Sequence, residues 1–144
     1  MNIKKIISVF LVVGPMILLS TISRADQRTE EAVVNKTYSL STINDVNVEN
    51  QFQEIPYIHF SRANDGSMRV DGRACNDFSG SISVQDNKSF TKDMISSKKV
   101  CSDALLKNLD FSISRWFNNS MIQEDNGILT IYTDGTVVKM KEVR

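Results

Sequence analysis

Polar and apolar residues alternate along 128–132 and again along 136–140, with Asp134 and Gly135 between the two runs. A two-residue Asp-Gly loop favours a type I′ turn, because both central residues need positive φ. That turn sets the register. Leu129 falls opposite Met140 and Ile131 opposite Val138 on one face; Thr130 meets Lys139 and Tyr132 meets Val137 on the other. The first face is wholly apolar and the second mixed, so a slip of one residue would destroy the separation. A second hairpin joins 57–62 to 67–71 through Asn64, Asp65 and Gly66. A three-residue loop with Gly66 in the left-handed position of a bulge fits here. It sets Phe60 opposite Val70, Ile58 opposite Gly72, and His59 opposite Asp71 on the outer side. Shorter strands are expected at 38–40, at 81–84, around Phe90 and at 94–97, with a turn at Asp86, Asn87 and Lys88.

The period changes from two to three or four after Cys101. Leu105, Leu106, Leu109, Ile113, Trp116 and Phe117 recur at helical steps, and Asn118 and Asn119 end the pattern. Ser102 is the expected N-cap, with Asp103 placed well in the first turn. Such a stripe normally closes a sheet. Many short strands with one helix predict a mainly β domain.

The first 25 residues read as an export signal. Lys4 and Lys5 precede an apolar stretch over 6–19, and Ser23 and Ala25 stand where a signal peptidase needs small residues. The apolar run is short of the roughly 20 residues that span a bilayer. No stable membrane anchor is therefore expected. Residues 26–36 read as a flexible, polar lead, and 37–144 as one domain. That length can bury a core of its own.

Charge narrows the partners. The whole chain balances 17 basic against 17 acidic residues, and loss of Lys4, Lys5 and Arg24 with the signal leaves 14 against 17. A mildly acidic protein lacks the basic surface that nucleic acid or anionic lipid requires. Cys75 and Cys101 are the only cysteines. In an exported chain such a pair is expected to be bridged. A loop of this length gives about 3.5 kcal/mol of stabilisation by chain entropy. The spacing is far from the Cys-x-x-Cys of a redox pair.

Gly72, Cys75, Asn76, Phe78, Ser79 and Gly80 form the most distinctive segment. The glycines suit close backbone positions, and Asn76 and Asp77 suit a turn. With Arg73 they also make a candidate binding loop, since function concentrates on loops. The segment resembles the Gly-x-x-Cys-Asn-x-Phe-Ser-Gly signature of the META domain and its HslJ-like heat-shock proteins. Tyr38-Ser39-Leu40, Ile58-His59-Phe60, the Cys101 helix with Leu109 and Ile113, and Leu129-x-Ile131 follow the family's order. The resemblance implies a compact, partly open antiparallel β-barrel with one helix across it. It also implies an envelope protein linked to heat induction and novobiocin tolerance, without established enzymatic chemistry. Many relatives are lipoproteins, and this chain has no cysteine near its cleavage site to carry lipid. A similar fold occurs in pilot lipoproteins of secretion systems, which is analogy of fold alone.

Catalytic and metal sites are not expected. His59 is the only histidine, so a multi-histidine metal site is excluded. His59 with Asp71 reads as a cross-strand pair. No Gly-x-Ser-x-Gly elbow supports recruiting Ser61 or Ser67. Glu124 and Asp125 read as solvated turn residues rather than a glycosidase pair. No phosphate-cradling loop or other cofactor motif is present. The expectation is a monomer without a cofactor that acts by binding a protein or a small apolar ligand. Its expected location is the periplasm, with secretion to the medium as the alternative.

Overall fold

The computed structural model describes residues 24–144; the signal-peptide features at positions 1–23 lie outside the described residues. Among the described residues nine strands occur in chain order: β1 Thr37–Ile43, β2 Val46–Asn47, β3 Tyr57–Arg62, β4 Met68–Arg73, β5 Asp77–Gln85, β6 Lys88–Ser96, β7 Ser120–Asp125, β8 Ile128–Thr133 and β9 Thr136–Glu142. Helix α1 spans Arg24–Val33 and α2 spans Ala104–Trp116. Consecutive strands pair antiparallel from β3 through β9. β1 pairs with β3 on one edge and β9 on the other, which closes the sheet into a ring. Its later residues Thr42 and Ile43 hold the short β2 on the β3 side. The ring is thinnest between β6 and β7, where only Lys88 and Ser89 pair with Met121 and Ser120. This mainly β, partly open architecture is the one expected.

Both hairpin registers are those expected. Leu129 pairs with Met140 and Ile131 with Val138. All four are fully buried, whereas Tyr132 on the other face is exposed. Asp134 and Gly135 both take positive φ, as their turn demands. Phe60 pairs with Val70, Ile58 with Gly72 and His59 with Asp71. Asp86 and Asn87 also have positive φ and join β5 to β6 directly, so both strands run longer than expected. The separate strand expected at 94–97 is the far half of β6, continued beyond a bulge at Asp93, whose φ is 54°.

The ring's interior is filled by side chains. Tyr38, Leu40, Ile58, Phe60, Val70, Leu129, Ile131, Val138 and Met140 are fully buried. Phe60 stands edge-on to Tyr38 and to Phe117, with ring centres 6.1 and 6.0 Å away. These are favoured aromatic geometries, and each such residue contributes roughly 1.5–3 kcal/mol by burial alone.

Gly72 sits between β3 and β5 with no room for a side chain. A Cβ there would collide with the Tyr57 carbonyl and lie 2.8 Å from the Phe78 ring. Gly72→Ala is expected to cost about 1–3 kcal/mol through strand displacement, read as a lower midpoint in denaturant unfolding.

Two local expectations need correction. Residues 26–36 do not form a loose lead: α1 occupies most of them and packs on β5 and β7. Val33 is fully buried, and Asn35, at φ 61°, ends the helix. One buried apolar anchor with a left-handed Asn cap suffices, and neither gives a visible period. The N-cap of α2 is Asp103, not Ser102; its carboxylate accepts from the Leu105 and Leu106 amides. The buried stripe correspondingly runs through Leu109, Ile113 and Trp116, while Leu105 is exposed.

Candidate functional site

β4 and β5 are joined by Ala74, Cys75 and Asn76, and the Arg73–Asp77 pair closes this three-residue loop. The amides of Cys75 and Asn76 point the same way and form a small anion-binding concavity. The anion is supplied by the protein. Asp110 of α2 accepts from Cys75 N and Asn76 N, each at 2.9 Å through Oδ1. Its Oδ2 accepts from Asn76 N and from the Asn76 side-chain amide. The other end of Asn76 accepts from Ser97 Oγ at 3.1 Å and Lys99 N at 2.6 Å. The Cys75–Cys101 disulfide lies beside these bonds, with Cα atoms 6.0 Å apart. One small cluster thus ties the β4–β5 loop, the segment after β6 and α2 together.

Asp77 pairs with Arg73 and, at 2.9 Å, with Lys99. The Lys99 ammonium and then the Arg73 guanidinium hold its carboxyl below the usual carboxylate range. The structure sets Arg73, Asn76 and Asp77 at one end of the β4–β5 hairpin, with their polar atoms turned on neighbouring protein groups. Among the described residues, Cys75, Cys101 and Asp110 are the one group spaced closely enough for a metal ion. Both sulfurs are committed to the disulfide, which removes the thiolates that a metal requires.

Asp110 is the site residue that sequence reasoning missed. It sits four residues after Leu106 and three before Ile113, within the stripe that faces the core. A carboxylate in an apolar stripe needs donors, and that was the available signal.

Outside this cluster, His59 Nδ1 lies 2.9 Å from Thr37 Oγ1. Glu124 is not on a solvated turn. It lies in β7, accepts from Gly127 N, and shares Lys36 with Glu142 at 3.3 and 3.4 Å. Burial and then the charges of Glu124 and Glu142 push the Tyr38 phenol well above its usual pKa. An unfolded tyrosine titrates near pH 10. The stabilisation from keeping Tyr38 protonated is therefore complete below that pH and falls above it by about 1.4 kcal/mol per pH unit. Tyr38→Phe should make alkaline unfolding shallower by one proton, which denaturant midpoints measured from pH 9 to 11 would show.

Next to the disulfide a groove of about 530 Å³ runs between the chain after β6 and α2. Ser96, Lys98, Val100, Lys107 and Phe111 line it. Val100 is 99% exposed and Phe111 69%. The Arg115 guanidinium lies 4.6 Å from the centre of the Phe111 ring.

Residues 31–143 match the META domain. The chain belongs to the META domain family. The match spans the closed sheet and α2 and takes in the end of α1. No curated protein matches this META domain chain in sequence. Solved structures share its fold. One NMR structure is 22% identical, covers 78% of this chain and 92% of its own, and superposes with a TM-score of 0.66. An NMR structure of a protein from Burkholderia xenovorans is 13% identical and covers 81% of this chain and 87% of its own, with a TM-score of 0.63. A DUF4847 family protein from Bacteroides vulgatus ATCC 8482 is 13% identical and covers 78% of this chain and 95% of its own, with a TM-score of 0.50. At these identities the likeness concerns fold.

Proposed function

We propose that this META domain protein is a non-catalytic, exported envelope protein of the HslJ type that acts by binding, in support of tolerance to heat or novobiocin. The observation that carries this reading is the latch of disulfide and Asp110, which ties the two walls of a partly apolar surface groove to the β4–β5 loop. Disulfides persist in oxidising compartments, which favours export. Among the described residues no helix is long and apolar enough to cross a membrane. The ring's interior is occupied by its own aromatic and aliphatic side chains. Binding is accordingly assigned to the surface and not to the centre of the ring. The residues nearest to an acid–base pair, His59 and Asp71, are cross-strand neighbours, and His59 is engaged by Thr37.

Cell fractionation with thiol alkylation tests the assignment. The expected result is recovery from the periplasm with both cysteines blocked until a reductant is added. A cytoplasmic protein with free thiols would remove the reading. Recovery from the culture medium would instead favour a secreted or secretion-associated interaction module, which the incompletely paired β6 edge would suit.

A further inference from the structure

β6 is nine residues long and pairs with β5 along most of its length. On its other side it pairs with β7 only at Lys88 and Ser89. From Phe90 to Ser96 that side meets no strand among the described residues. An edge of this kind is a template for an added strand. Its residues are accessible: Lys92, Asp93, Ile95 and Ser96 are exposed, with Ile95 at 67%. The edge leads at Ser96 into the groove beside α2, where Val100 and Phe111 present apolar surface.

Charge states what would lie there. Lys98 and Lys107 line the groove and form no ion pair among the described residues. The nearby carboxylates are committed: Asp110 to the loop amides, Asp77 to Arg73 and Lys99. Complementarity requires a negatively charged occupant. A second copy of this chain would bring its own Lys98 and Lys107 to the same surface.

The geometry points to the open β6 edge and the adjoining groove as the docking site for an extended peptide segment of a partner protein, with acidic residues alternating with apolar ones. Its backbone adds a strand to β6. Where the segment leaves the sheet and enters the groove, its apolar side chains rest on Val100 and Phe111 and its carboxylates meet Lys98 and Lys107. This inference rests on the binding role proposed above and names the partner's chemistry.

The test uses the oxidised, isotope-labelled protein and an eight-residue peptide alternating Glu with Val and Phe, beside its Lys-for-Glu counterpart. The acidic peptide is expected to shift the amides of 90–96, slow their hydrogen exchange and perturb Val100 and Phe111. The Lys peptide should bind at least tenfold more weakly. In the double variant Lys98→Glu/Lys107→Glu, whose substituted side chains are solvent-exposed, affinity for the acidic peptide should fall at least tenfold and the preference reverse. Equal binding of both peptides, shifts mapping elsewhere or no binding would overturn the proposal. So would protection of 90–96 that grows with protein concentration alone, since that is self-association. Any of these in a protein still recovered oxidised from the periplasm would remove this docking site and leave the envelope assignment standing.

Discussion

Cys75→Ser is expected to lower the unfolding free energy by about 3.5 kcal/mol, the chain-entropy value for a loop of this length. The bridge spans 26 positions and encloses β5, β6 and their hairpin turn. Without it the unfolded chain regains the freedom of that whole segment, while the native hairpin remains held by its ladder. For a domain of this size the loss corresponds to a fall in melting temperature of roughly 10–15 °C. Calorimetry of the oxidised protein, the reduced protein and the variant provides the comparison. Reduction and substitution should give the same shift, because both open the same loop. An unchanged melting temperature in either would show that the disulfide does not stabilise the fold.

What the sequence disclosed, and what it hid, follows from how each element is stabilised. The β3–β4 and β8–β9 registers were legible because each turn has a demanding backbone requirement, met by Gly66 in one and by Asp134 and Gly135 in the other. The alternating strands admit one register that buries Leu129, Ile131, Val138 and Met140 together. α2 was legible by its period. Its cap was misplaced by one residue because Ser102 and Asp103 are both good caps, and only the phase of the buried stripe separates them. α1 was hidden because its contact with the core comes chiefly through Val33. β7 was hidden for a different reason. Its buried members Ser120 and Ile122 alternate with Met121 and Gln123, which gives a weak contrast. In the site, Cys75, Asn76 and Asp77 could be read from local signals. Asp110 lies 35 positions from Cys75, and Lys98 meets Lys107 and Phe111 of α2 only when that helix packs beside the chain after β6.

Asp110 carries the second large expectation. Asp110→Ala should destabilise the protein by about 3 kcal/mol, because hydrogen bonds to a charged acceptor are worth about 1.5–3 kcal/mol each and water can replace part of them at a half-buried site. Two backbone amides and the Asn76 side chain lose their acceptor at once. Asp110→Asn should cost less, since it keeps one acceptor oxygen but points an amide donor at other donors. The decisive comparison is the double variant with Cys75→Ser. Both single changes loosen the same 74–76 loop, one from the segment before α2 and one from α2 itself, so the second has less left to release, and the combined loss should fall short of the sum by about 0.5–3 kcal/mol. Denaturant unfolding of the four proteins measures that coupling. A combined loss equal to the sum would mean that disulfide and carboxylate act on separate parts of the fold. The latch would then not be one unit, and the two walls of the groove beside it would be held independently.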